Sequence, residues 1–278
     1  MTRGPVLVGL LPLSLYLVGF TLVPVASTLA LSVTAPDGRL ALEPFRRIAS
    51  HYQFGEAVTN TLAVTGISLT LELLLGLAAA LALVSRPVGR KVFQVLLLVP
   101  LGVPTIVAAS VMRTVFGTAG YLNEILFRLG MIRTPVDWVG SRGLALFTVA
   151  VADAWKVTPL MMLVLLTGLQ AIPGDLYEAA RTDGASRWRQ FTAITLPLLK
   201  PALTMALIIR GVDAFRIFAL PLALVGQGLP VLSTYAYVEY LEYGSPHTAA
   251  ASSVILLAMI LLAVIGYLRL AGPEEVLR

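Results

Sequence analysis

Cysteine is absent from this chain, which excludes disulfides and thiolate metal sites. Histidine is nearly absent. The only two, His51 and His247, stand in or beside loops and read as solvated side chains, not as a metal ligand or general base. No Gly-x-x-x-x-Gly-Lys-Ser/Thr run occurs, so no P-loop can cradle ATP phosphates, and no His-Glu-x-x-His offers a zinc-protease site. Charge is scarce as well: 13% of residues are charged, against roughly 25% in an ordinary soluble domain. No internal repeat at a fixed period is visible.

What is present is apolar length. Hydrophobic residues make up 58% of the 278, and six runs dominate, at about 6–33, 57–85, 92–116, 143–172, 195–225 and 247–268. Each approaches or exceeds the roughly 20 residues a helix needs to cross hydrocarbon. Little chain is left for a soluble domain, so 1–278 reads as one all-α transmembrane domain. The first run is longer than the roughly 7–15 residue core of a signal peptide and reads as a retained helix. Pro12 and Pro24 are expected to kink it.

The net charge of +5 comes without any aromatic-basic platform for bases. It fits the collection of Lys and Arg in cytoplasmic loops, not nucleic-acid binding. With Arg3 inside, the inner segments hold Arg3, Arg86, Arg90, Lys91, Arg181, Arg187, Arg189, Lys200, Arg269 and Arg278. The outer ones hold Arg39, Arg46, Arg47, Arg128, Arg133 and Arg142, so the count is ten against six. Both termini and the connection at 173–194 are then expected in the cytoplasm.

That connection belongs to a polar, mixed-charge island, 175–197, reading DLYEAARTDGASRWRQFTAITLP. Pro173 and Gly174 end the fourth run. Asp175 followed by Glu178 resembles an acidic capping box, Gly184 suits a left-handed helix exit, and Ser186 can cap a second short helix. Two short helices at an angle are expected, with Trp188, Phe191 and Thr195 sharing a face of the second. Two readings stay open on these grounds. Ala179 and Ala180 leave the backbone approachable and Glu178 can offer a carboxylate to a partner, or the residues are simply caps and stops.

The offsets carry a resemblance. Glu178-Ala179-Ala180, Gly184, Ile194, Leu196 and Pro197 resemble the signature loop of the permease subunits of binding-protein-dependent ABC importers at all seven positions. Asn60-Thr61, Pro100-x-x-x-Pro104, Gly120-x-x-Asn123, Leu176-Tyr177 and Trp155-Lys156-x-x-Pro159 look like the carbohydrate-type branch, MalF/UgpA-like half. Gly226-Gln227-Gly228-Leu229-Pro230 departs from the Gly-Gly-Pro common there. The resemblance implies the type I importer permease fold, with six transmembrane helices and a cytoplasmic coupling helix. Glu178, Ala179, Ala180, Asp183 and Gly184 would engage an ATPase. It implies a multi-pass subunit of the inner (cytoplasmic) membrane, in contact with lipid and not itself an enzyme. Its partners would be a second homologous permease, two ATPase subunits and an extracytoplasmic solute-binding protein. No cofactor is expected on this chain; ATP and Mg belong to the ATPases. The solute would be a mono- or oligosaccharide or a glycerol phosphate, with a non-sugar solute as the alternative.

Ionisable residues inside spans cost at least roughly 2.5–3.5 kcal/mol each on insertion scales, so they face a partner or a wet cavity. Arg210, Asp213 and Arg216 recur at intervals of three, as do Asp153 and Lys156, and Glu72 lies mid-way along the second run. They can be internal ion pairs, with Glu72 the partner of an arginine, or a polar lining for a hydroxyl-rich solute. The resemblance implies Asp153, Lys156, Asp213 and Arg216 as the lining, with Arg210 and Glu72 structural.

A self-contained secondary transporter would show inverted-repeat halves with broken spans at matching places, and none is seen. An intramembrane enzyme would need a nucleophile–base or metal constellation within the spans, and the chain offers none.

Overall fold

A computed structural model describes residues 12–85 and 88–272. Arg3, Arg86 and Arg278, counted above among the inner cations, and the start of the first run lie outside the described residues. The fold is all-α. Among the described residues, β structure is limited to one isolated bridge, Thr34 to Leu40.

Among the described residues, five helices are long and apolar enough to cross a membrane: α1 (Pro12–Ser32), α3 (Tyr52–Val84), α7 (Arg142–Gln170), α9 (Arg187–Phe215) and α12 (Pro246–Ala271). Short helices join them: α2 (Glu43–Ser50), α6 (Tyr121–Arg128), α8 (Gly174–Thr182), α10 (Ala219–Leu224) and α11 (Leu232–Leu241). The run expected as the third span is instead split into α4 (Arg90–Gly102) and α5 (Thr105–Phe116). The bent pair Arg90–Gly102 and Thr105–Arg128, whose second member also takes in α6, turns by 102°. Proline explains the break. Val103, which precedes Pro104, is pushed to extended backbone (ψ 126°). Pro104 has no N–H to continue α4 and starts α5 instead. Counting the pair as one span gives six.

Prolines also shape α1 and α9 without breaking them. Each contains a π-helical turn, Val18–Leu22 and Phe191–Thr195, ending two residues before Pro24 and Pro197. A proline ring inside a helix clashes with the carbonyl four residues back. The wider π turn opens the ladder at that place.

The residues form two compact units, one within Met1–Val58 and Leu232–Met259, the other within Thr59–Val231 and Ile260–Arg278. In the first, Ile48, Ala57, Leu232, Tyr235 and Ala251 form the core. His51, expected to be solvated, is half-buried, with its ring stacked on Tyr52 and tilted against Tyr235 at 5.9 Å. His247 makes polar contacts through Nδ1 with the Leu31 carbonyl (3.1 Å) and the Thr34 hydroxyl. Burial pushes the Tyr235 phenol well above its usual range, and the neighbouring Glu239 adds to the rise.

In the second unit α7 is the most enclosed long helix. One core joins α3, α7 and α9 through Ala80, Leu83, Met161, Met162, Leu165, Leu169, Leu199 and Ala206. Another gathers Val64, Phe116, Val149, Ala152, Leu220 and Leu224. Glycine permits the closest crossings. A Cβ on Gly168 of α7 would fall 2.5 Å from Ala202 Cβ of α9, and one on Gly76 of α3 would meet Met161 of α7 at 2.7 Å. Where lipid supplies no hydrophobic driving force between helices, such small-residue contacts are how membrane helices gain packing energy.

Candidate functional site

Two places gather the residues singled out in the sequence, and both lie in the second unit. The first is α8 and its exit. Helix α8 spans nine residues, with Pro173 as N-cap and no side-chain cap bond, so the capping box expected from Asp175 and Glu178 does not form. Pro173 has ψ 132°, an entry already set for the helix, and Asp175 falls in the first turn beside the positive end of the dipole. Glu178 points outward, 74% exposed, and reaches Arg181 at 3.8 Å. A pair this exposed contributes little to stability. Glu178, Ala179 and Asp183 are exposed, and Ala180 is half-buried.

The exit is the left-handed one expected. Gly184 has φ +76°, its N–H donates to the Arg181 carbonyl (3.0 Å), and the Ala185 N–H donates to Ala180 (2.8 Å). These are the two bonds of a Schellman motif. Ser186 then caps the next helix, accepting from the Arg189 N–H at 3.3 Å. That second helix differs from expectation. It is not a separate surface piece but the first turn of α9, which continues through the π turn Phe191–Thr195 into the fifth span. The rings of Trp188 and Phe191 lie 5.9 Å apart, as their shared face implies. Thr195 turns inward and is buried, its Oγ1 2.9 Å from the Tyr177 hydroxyl of α8.

The second place is a buried charge cluster joining α3, α7 and α9. Arg210, 2% exposed, grips Glu72 with two donors, Nε to Oε2 at 2.7 Å and Nη2 to Oε1 at 2.8 Å. Its Nη2 also reaches Asp153 Oδ2 at 3.3 Å, and its Nη1 reaches Asp213 Oδ2 at 2.6 Å. A guanidinium is suited to this, because its fixed fork serves several carboxylates at once. Ser68, one turn from Glu72 on α3, sits between the two buried acids, 2.8 Å from Glu72 Oε1 and 2.5 Å from Asp153 Oδ2. Sequence reasoning passed over Ser68. Its interval of four from Glu72 was the available signal, since that spacing shares a helix face.

The four charges assigned to a lining are therefore not alike. Asp153 is buried and committed to Ser68 and Arg210. Lys156, one turn further along α7, is half-buried and has no ion-pair partner among the described residues. Asp213 is held by Arg210 yet leaves 66% of its side chain exposed, and Arg216 is exposed.

Other motif residues turn out to knit connections. Asn60 donates Nδ2 to the Pro230 carbonyl (2.8 Å) and accepts at Oδ1 from Arg142 Nε (2.8 Å). The Asn123 amide accepts from the Val136 N–H and Trp138 Nε1 and donates to the Gly117, Thr118 and Val136 carbonyls. Among the described residues, no group of three or more acids and histidines is arranged to hold a metal ion.

Residues 72–270, which contain α7, α8, α9 and every charge of the cluster, match the family described as binding-protein-dependent transport system inner membrane component. Over 271 residues the chain is 38% identical to the trehalose/maltose transport system permease protein MalF of Thermococcus litoralis, covering 94% of this chain and 91% of that one. It is 35% identical over 217 residues to the trehalose transport system permease protein SugA of Mycobacterium tuberculosis, covering 74% and 68% of the two chains. Its fold is that of a chain in the crystal structure of a bacterial ABC transporter involved in the import of the acidic polysaccharide alginate. The TM-score is 0.86 at 22% identity, over 99% of this chain and 97% of that one. The chain therefore belongs to the binding-protein-dependent transport system inner membrane component family, multi-pass membrane proteins that serve as transport subunits and not as enzymes.

Proposed function

We propose that this chain is one of two related permease subunits of an ATP-driven ABC importer, and that its solute is a sugar or sugar-like molecule handed over by an extracytoplasmic binding protein. The observation that carries this is α8. It is a nine-residue helix with exposed Glu178, Ala179 and Asp183, ended by an open left-handed glycine and set between two spans. Such a surface contributes nothing to the chain's own core, and small side chains let a partner approach its backbone. Two ATPase subunits supply the partner, because the chain has no P-loop of its own. The basic residues Arg181, Arg187 and Arg189 around α8 favour the cytoplasmic side for it and for both termini.

The sugar assignment rests on relatives named for trehalose and maltose. In the solute path, Lys156, Asp213 and Arg216 supply polar groups to hydroxyls. Asp153 acts from behind, fixing the Arg210 that in turn holds Asp213.

The test is to isolate the native complex and measure its ATPase rate with the cognate binding protein and a panel of sugars. Co-purification of an ATPase and stimulation by a trehalose- or maltose-type sugar are expected. Failure of any ATPase to co-purify would sink the importer reading. Unchanged stimulated transport in both Lys156→Ala and Asp213→Ala would overturn the path.

A further inference from the structure

The π turn at the root of α9 carries a side-chain tie. Thr195, the last residue of that turn, is buried, and its Oγ1 has two neighbours: the Tyr177 hydroxyl at 2.9 Å and the Gln190 carbonyl at 3.5 Å. A threonine hydroxyl has one proton to give and lone pairs to accept with. The carbonyl can only accept, so whenever the Thr195 proton is given to Gln190, Tyr177 donates to Thr195. The result is a hydroxyl inside the π turn that meets both α8 and the carbonyl that opens the turn.

The surroundings make this tie matter. The Tyr177–Thr195 contact is a side-chain hydrogen bond that links α8 directly to the root of α9. The tie itself borders a cleft of about 670 Å³, whose lining includes Tyr177 and Thr195 together with Leu81, Val84, Arg90 and Leu169. The turn itself is a soft place. Pro197 has no N–H to donate to the carbonyl four residues back, and its ring clashes with that carbonyl, which the wider turn relieves. π turns of this kind gather at functional positions.

We infer that Tyr177 is a positioning residue for energy coupling: its hydroxyl, through Thr195, transmits displacement of α8 into the π turn and so into the span that carries Arg210 and Asp213. The inference rests on the assignment of α8 as the ATPase-docking helix. Without the tie, α8 can follow the ATPases while α9 lags, and ATP is hydrolysed with less solute moved.

The test uses the full complex with its binding protein in proteoliposomes, reading solute transported per ATP hydrolysed. Tyr177→Phe removes only the hydroxyl, and Thr195→Val removes donor and acceptor at equal shape. Each is expected to lower the transport-to-hydrolysis ratio about five-fold, the factor that about 1 kcal/mol of hydrogen bond represents. The double variant is expected to fall no further, and Thr195→Ser to restore the ratio. Unchanged ratios, or losses that multiply in the double variant, would overturn the tie. A companion variant, Gly184→Trp, separates the two ideas. If it blocks ATPase assembly or coupling while Tyr177→Phe is normal, the docking assignment stands and the tie falls. If Gly184→Trp also assembles and couples normally, the docking assignment falls with it.

Discussion

Arg210 is the most consequential single side chain in the molecule. It is enclosed, yet it answers acids on three helices, and no other cation lies within ion-pair distance of Glu72 or Asp153 among the described residues. Breaking a buried pair by removing one partner costs about 3–5 kcal/mol, because the other charge is left uncompensated. Arg210→Leu should therefore lower the stability of the detergent-solubilised complex by that order, read as a clearly lower melting midpoint. Arg210→Met combined with Glu72→Leu should recover part of the loss, since well-packed apolar replacements of buried pairs can be nearly neutral. A wild-type midpoint for Arg210→Leu would show that the cluster holds nothing together. Part of this was readable in advance. The interval of three between Arg210 and Asp213 placed them on one face, and they do pair; a lone Glu72 in an apolar run called for an arginine, and it has one. The same interval between Asp153 and Lys156 led nowhere, because Asp153 prefers partners on α3 and α9. Intervals report neighbours within a helix and are silent about the helix across the way.

Between elements, glycine sets the spacing of α7 against α9. A methyl group on Gly168 would press on Ala202 Cβ, and two helix backbones cannot give way as a side-chain tip can. Gly168→Ala should cost about 1–3 kcal/mol, the range for overpacked interiors. Ala202→Gly in the same chain should restore much of it, since contacting positions are not additive. Thermal unfolding of the two single variants and the double decides the matter, and strictly additive losses would refute the contact. The prolines at this scale were visible in the sequence, but their consequences were not. Pro104 broke the third run while Pro24 and Pro197 only widened a turn. At Pro104 the preceding residue, Val103, takes extended backbone, whereas α1 and α9 keep helical backbone through a π turn, and sequence alone does not say which answer a proline receives.

For the molecule as a whole, the cysteine-free sequence is a tool as well as an exclusion. A single Ala179→Cys would be the only thiol in the chain, on an exposed face of α8. It should react with a membrane-impermeant maleimide applied from the cytoplasmic side and be protected several-fold when the ATPases are bound. Equal labelling in both states would argue against docking at α8. The all-helical membrane fold was legible because apolar length is a one-dimensional property. The pairing of three spans by one arginine was not, because it is decided by which faces meet.

That arginine also bears on how the chain enters its membrane. Glu72 and Asp153 are synthesised before Arg210, so the two acids reach hydrocarbon without their cation. Each charge carries an insertion cost of at least about 2.5–3.5 kcal/mol until it is met. The fifth span then arrives with the compensating guanidinium and with Asp213 beside it. On electrostatic grounds alone, the first two acids gain from the arrival of the fifth span. The second and fourth spans each hold an acid whose cation comes from the fifth.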